Sequence, residues 1–287
     1  MAEGLTIQRT DEAPARAPWF ASAFLPLGGT IVLLYGVMAV LGPMLAPYGM
    51  DEQDLLSALL PPDAQHLLGT DALGRDILSR IIIGSRYTLL VTFVSVALAS
   101  VAGVTLGLLA GFYGGRIDTV ISSAIDLLLT IPLLILAIVL ATLIGAGMGG
   151  LILATAISFT PPMARLIRSR VLEIRQEEFV QAAFAVGASD LRILTRHILP
   201  NTVNIGIIQA SIFAGQAVLV ATALGFLGLG VQPPLPEWGT MIGMGREYLE
   251  VAPHLVYAPG LAISLLVLGL NLLGDGLRDQ LDPRTRT

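Results

Sequence analysis

The residues able to carry chemistry are few, and their spacing excludes more than it offers. His66, His197 and His254 fall in three separate polar stretches, so none forms the spaced pair that a metal site or a catalytic histidine couple needs. The chain has no cysteine, which removes disulfides, thiolate ligands and cysteine nucleophiles. It also has no lysine, so the Gly-Lys-Ser/Thr loop that cradles nucleotide phosphates cannot be built. Ser95, Ser100 and Ser158 lie in apolar runs without a histidine partner and read as helix-packing hydroxyls. Neither catalysis nor a bound cofactor or metal is expected of this chain.

What remains is a polar interruption between apolar runs, EFVQAAFAVGASDLRILTRHILPN at 178–201. Its residues read as two short helices. Glu173 to about Val186 favours helix, Gly187 can take the positive φ that ends one, and Ser189 or Asp190 can cap a second that runs to Leu199. Pro200 then ends that helix or opens the next span. The expected product is a bent, rigid projection. Ala182 and Ala183 would let a partner backbone approach closely, while Phe179, Val180 and Phe184 would supply apolar area for a socket. Spacing alone leaves two readings open, a docking element and an amphipathic loop lying on its own bundle.

The elements that hold this stretch are membrane spans. Hydrophobic residues make up 54% and charged residues 13%, with a mean hydropathy of +0.79, so charge is far scarcer than the quarter usual in soluble domains. A span needs about 20 mainly apolar residues. Six stretches meet that test, at 25–47, 87–112, 119–145, 147–167, 203–228 and 256–275. Gly103, Gly107, Pro132 and Pro161-Pro162 are compatible with membrane helices, and the Gly103/Gly107 pair points to close helix packing in preference to a dimerisation signal. The net charge is −5, but orientation follows the layout of arginine. With the N-terminus inside, the inner segments hold Arg9, Arg16, Arg116, Arg165, Arg168, Arg170, Arg175, Arg192, Arg196, Arg278, Arg284 and Arg286, whereas the outer ones are acidic. Both termini are therefore expected in the cytoplasm. The organisation follows as a tail at 1–24, a first helix at 25–47, an outer segment at 48–86, a membrane domain at 87–275 with an inner loop at 168–202, and a tail at 276–287.

The outer segments have features of their own. Ile77, Ile81 and Ile82 lie on an amphipathic stretch suited to the membrane surface, read as a helix covering the outer end of the bundle in preference to a ligand contact, and Trp238 suits an interfacial anchor. Within the spans Asp126 is the clear ionisable residue, expected to pin helices near the inner face. A carrier driven by protons would be expected to hold several midplane charges. The other interior polar groups here are neutral, and Gln209, Gln216 and Asn271 are candidates to line a pathway.

The 178–201 stretch resembles the EAA loop of permease subunits of binding-protein-dependent ABC importers. Gln181-Ala182-Ala183, Gly187 and Leu199-Pro200 fall at matching positions, with Gln181 standing where Glu is usual and His197 where Ile is usual. LGTDALGRDILSR at 68–80, IDLLLTIP at 125–132, GFLGLGVQPPLPEWGTMI at 225–242 and NLLGDGLRDQLDPR at 271–284 are similar to segments of the C-type permease of dipeptide, oligopeptide and nickel importers. The resemblance implies an all-α, six-helix type I importer permease in a bacterial or archaeal cytoplasmic membrane. Its implied partners are a second, B-type permease, two ATPase subunits that bind the ATP, an extracytoplasmic solute-binding protein and the lipid bilayer, with no nucleic acid. It further implies that Glu178, Phe179, Gln181, Ala182, Ala183, Gly187, Ala188, Ser189 and Asp190 couple to the ATPases. Peptide is the first expected cargo, nickel or another small solute the alternative. An ion-coupled carrier and a non-transporting scaffold or sensor are the readings from other classes.

Overall fold

The computed structural model describes residues 21–281, with side chains from 24 to 280, so the tail residues Arg9, Arg16, Arg284 and Arg286 lie outside the described residues. Helix α1 covers Ala21–Leu45 and α2 covers Ile77–Tyr113. The α2 start is fixed by Asp76, whose carboxylate accepts from the Ser79 backbone N–H at 2.8 Å and caps the first turn. At 37 residues, α2 is about 55 Å long and outruns the roughly 30 Å hydrocarbon layer. The stretch expected to lie on the membrane surface is thus the first two turns of this helix. Ile77 and Ile81 are buried in the bundle, and residues 77–86 form the first turns of the helix.

The third expected span, 119–145, is not one helix. It divides into α3, Gly115–Leu129, and α4, Leu133–Ile144, bent by 97°. Pro132 is the cause, because it has no N–H to donate and disfavours helical backbone at Ile131. Thr130 Oγ1 donates to Leu127 O at 2.6 Å and satisfies a carbonyl freed by the break. Helix α5, Met148–Ile174, runs two turns past its expected end. Then come α6, Glu178–Ala185, and α7, Asp190–Ile193, which passes through a π-helical turn at 194–198 into α8, Leu199–Phe226. A short helix α9, Trp238–Gly245, precedes α10, His254–Leu281. Among the described residues, five helices are long and apolar enough to cross a membrane, and the bent α3–α4 pair brings the number to as many as six.

Packing is densest between α2 and α5, along a seam of glycines. A Cβ at Gly103 would lie 2.6 Å from Met163 Cβ, one at Gly107 2.7 Å from Ala164 O, and one at Gly111 2.7 Å from Val171 Cβ. The spacing that made Gly103 and Gly107 notable extends by one more turn, and it serves contact within the chain. Ser95 Oγ donates to Ile152 O across the same seam at 3.1 Å. Phe159 meets Phe213 at 4.9 Å and ties α5 to α8. Trp238 differs from expectation: it is fully buried, donates from Nε1 to Ile81 O at 3.1 Å and packs edge-on against Tyr35 at 5.5 Å. An indole with its N–H satisfied inside the bundle has no need of the membrane interface.

Candidate functional site

The end of the bundle where α5 leaves and α8 begins carries the 178–201 stretch, folded as an elbow. Gly187 has φ of +75°. Its N–H donates to Phe184 O at 3.0 Å, and the Ala188 N–H donates to Ala183 O at 3.1 Å, the paired bonds of a Schellman cap. The sequence expectation for Gly187 is met. Ser189 stands at the N-cap position of α7 with extended backbone, without a side-chain cap bond, and Asp190 opens that helix. Glu173 and Ile174 belong to the end of α5, so the first elbow helix starts at Glu178 after a turn at 175–177. Pro200 does not break the second arm. Leu199 N–H bonds to Leu194 O in the π turn, and Asn201 Nδ2 donates to His197 O at 2.6 Å, so helix continues from Asp190 to Phe226.

The elbow has an inner and an outer face. Val180, Ala183, Ile193 and Ile198 are buried against the bundle. Phe184 stacks on Phe112 of α2 at 6.0 Å and 15°, and the Arg175 guanidinium lies over the Phe112 ring at 6.0 Å. Val180 and Phe184 therefore anchor the elbow to its own bundle, contrary to the expectation that they face a socket. The Ala182-Ala183 pair divides, Ala182 outward and Ala183 inward. Phe179, Glu178, Gln181, Gly187 and Asp190 are exposed, and Ala188 is half-buried. Two apolar residues on the outer face escaped sequence reasoning, Val186 at 83% exposure and Leu191 at 71%. An apolar residue next to the Gly187 turn was the available signal. Gln181 has a defined role: its Nε2 donates to Arg175 O at the C-terminal end of α5 at 2.8 Å, a bond that a glutamate could not make.

Ion pairs join α3 to α5 near the same end. Arg168 binds Asp118 through Nε and Nη2 at 2.5 and 2.6 Å, a two-pronged contact, and Ser122 Oγ adds 2.8 Å to the same carboxylate. Asp126, expected to pin helices, pairs with Arg165. Sequence reading placed Asp118 near a span end and missed its partner 50 residues on. The pathway candidates lie elsewhere. Gln216 on α8 and Asn271 on α10 are exposed, and Gln209 is half-buried two turns from Gln216 along α8. A Cβ at Gly215 would lie 2.4 Å from Asn271 Oδ1, so Asn271 leans on α8 beside Gln216.

Comparison with known proteins gives this geometry a family. Residues 103–287 match the binding-protein-dependent transport system inner membrane component, and residues 27–62 match the N-terminal TM domain of oligopeptide transport permease C. The chain is 42% identical over 285 residues to the dipeptide transport system permease protein DppC of Alkalihalophilus pseudofirmus, covering 96% of this chain and 93% of that one. It is 42% identical to the glutathione transport system permease protein GsiD of Pectobacterium atrosepticum, covering 95% and 93%. Among solved structures, the MetNI methionine ABC transporter in an inward-facing conformation shares the fold, with a TM-score of 0.56 and 21% identity, covering 71% of this chain and 96% of that one. An all-helical membrane bundle with these matches over nearly its whole length belongs to the family of binding-protein-dependent ABC importer permeases, the non-catalytic membrane subunits of those transporters.

Proposed function

We propose that this chain forms half of the transmembrane pathway of an ATP-driven importer of short peptides, coupled to ATPase subunits through residues 173–200. The observation that carries the reading is the elbow. An exposed apolar set, Phe179, Val186 and Leu191, sits on a stiff turn that is continuous with α8 and bonded to the end of α5. A partner that seats on this face and moves would drive both helices as rigid bodies. Peptide as cargo is supported by relatives named for dipeptide and glutathione transport. The arginines at 165–175 and 192–196 support a cytoplasmic elbow end by the positive-inside rule, in a bacterial or archaeal cytoplasmic membrane. ATP binds to the ATPases, and a second permease and a solute-binding protein complete the assembly. Asp118 and Asp126 are each committed to an arginine, and the other polar candidates in the spans are neutral, which leaves little uncommitted charge for an ion-coupled carrier to use.

The test is reconstitution of the chain with its neighbouring permease, ATPases and binding protein in vesicles, followed by uptake of labelled di- and tripeptides. Uptake that requires ATP and all the subunits is expected. Accumulation by this chain alone under an ion gradient would overturn the reading.

A further inference from the structure

At the end of the bundle opposite the elbow, a cavity of about 310 Å³ opens between the 71–75 loop, the start of α2, α9 and the start of α10. Arg75 and Arg80 line it, although only 4% and 3% of each is exposed. They share one carboxylate: Asp71 Oδ2 lies 2.7 Å from Arg75 Nε and 3.7 Å from Arg80 Nε. The other oxygen, Oδ1, is taken by the backbone N–H groups of Leu73 and Arg75 at 2.9 and 3.0 Å. Arg80 spends Nη1 on Met50 O at 2.8 Å. Among the described residues, Arg75 makes its one side-chain hydrogen bond through Nε. Asp71 is the carboxylate bonded to these two buried guanidinium charges, Asp51 reaches Arg80 only through space, and fork donors of both arginines stay free beside the cavity. Glu247 also lines it, but as an exposed side chain. Burying such a charge is costly unless an anion completes it.

We propose that this cavity receives the terminal carboxylate of a short peptide on the outward side of the transporter. Guanidinium forks match carboxylates in a planar, two-pronged geometry. The volume is at the small end of the range for ligand sites, about 300–1,000 Å³, which suits a peptide terminus and excludes a folded partner. The remaining wall includes Met241, Met244 and Leu255. Flexible, polarisable methionines accept side chains of varied shape, so the site reads the carboxylate and tolerates the residue that bears it. This assignment rests on the peptide-import reading and on the outward orientation of this end.

The experiment uses the assembled transporter in nanodiscs without its binding protein, so that selection by that protein does not enter. The probes are alanyl-para-fluorophenylalanine and its C-terminal amide, followed by fluorine NMR titration. The free acid should bind at least about tenfold more tightly than the amide, as loss of a charge-assisted pair requires. Arg75→Met should abolish the preference. Because that change also removes the Asp71 pair, Met244→Glu is the second variant. Met244 is 43% exposed, and a carboxylate placed there would occupy the guanidiniums from within the chain. Acid binding should fall about tenfold in Met244→Glu and persist in Met244→Gln. Equal binding of acid and amide, or Met244→Glu binding like the native chain, would overturn the proposal while ATP-driven peptide uptake stands. Selective binding of the acid by a complex that takes up no peptide would count against the import reading and in favour of the site.

Discussion

Gly187 holds its φ at +75°, and a Cβ built on it meets no heavy atom within 4 Å. The effect of a side chain here is therefore conformational and not steric, which makes the magnitude simple to work out. Alanine in the left-handed region costs about 1 kcal/mol and a β-branched residue about 2 kcal/mol, while asparagine is tolerated. If the backbone relaxes to negative φ instead, the Gly187 and Ala188 N–H bonds to Phe184 O and Ala183 O are lost, each worth about 1 kcal/mol. Both routes loosen the angle between α6 and α7 by a similar free energy. About 1.4 kcal/mol is a tenfold change in the population of the correctly aimed elbow. In the reconstituted complex, Gly187→Asn should keep near-native peptide uptake, Gly187→Ala should lose about fivefold, and Gly187→Val tenfold or more. Membrane insertion and basal ATPase activity should survive, because the bundle core is untouched. The reasoning fails if Gly187→Val couples ATP hydrolysis to uptake as the native chain does, or if Asn and Val are equally impaired.

Other positions give separate outcomes. Gly107→Val drives a side chain into Ala164 O, Ile167 Cβ and Arg168 N at 2.7 to 2.9 Å, two of which are backbone atoms. It should cost at least about 2 kcal/mol and lower the thermal midpoint of the purified chain, whereas Gly260→Ala, a helical position with nothing near its Cβ, should leave the midpoint unchanged. Gln181→Glu removes the donor to Arg175 O and sets a carboxylate against the negative end of α5. A two- to fivefold loss of coupled uptake is expected, corresponding to about 0.5–1 kcal/mol for an exposed bond, and unchanged or improved uptake would count against that bond. Glu237, in the segment between α8 and α10, is buried, and burial pushes its carboxyl above the ordinary value of 4.5 against the pull of the Gly239 and Thr240 N–H groups. A raised folded value means that the folded state holds the proton more tightly. Its contribution is full below about 4.5 and is lost as pH rises through the folded value. The native chain should therefore lose stability relative to Glu237→Gln as pH rises across that window, its thermal midpoint falling against that of the variant, and a flat difference would refute the shift.

How much of this was legible in the residues depends on how local each cause is. The Gly187 turn was legible because a single positive-φ position between two helix-favouring runs has one economical solution. The glycine seam was half legible, since spacing marks a close approach without saying what approaches. The break at Pro132 was not: proline within membrane helices is commonly tolerated, and the sharp bend came with Thr130 satisfying a carbonyl on the near side. The length of α2 was misjudged because 77–86 is polar enough to read as surface, yet Asp76 before an isoleucine run is an N-cap signal that could have moved the start.

The remaining misreadings share a physical origin in partners distant along the chain. Trp238 reads as an interfacial residue by composition, but its N–H finds Ile81 O 157 residues away, and only that contact makes burial favourable. Asp118 reads as a span-end acid until Arg168 arrives from α5. On the elbow, an eight-residue helix is too short for apolar periodicity to fix a face, so Phe179 and Phe184 look equivalent in sequence. Phe112 of α2 decides between them. By stacking on Phe184 it commits that ring to the bundle and leaves Phe179, with Val186 and Leu191, on the outer surface. The face offered to a partner is thus set by what the bundle has already claimed, and Phe112→Ala should disturb coupling through α2 although α2 lies outside the elbow.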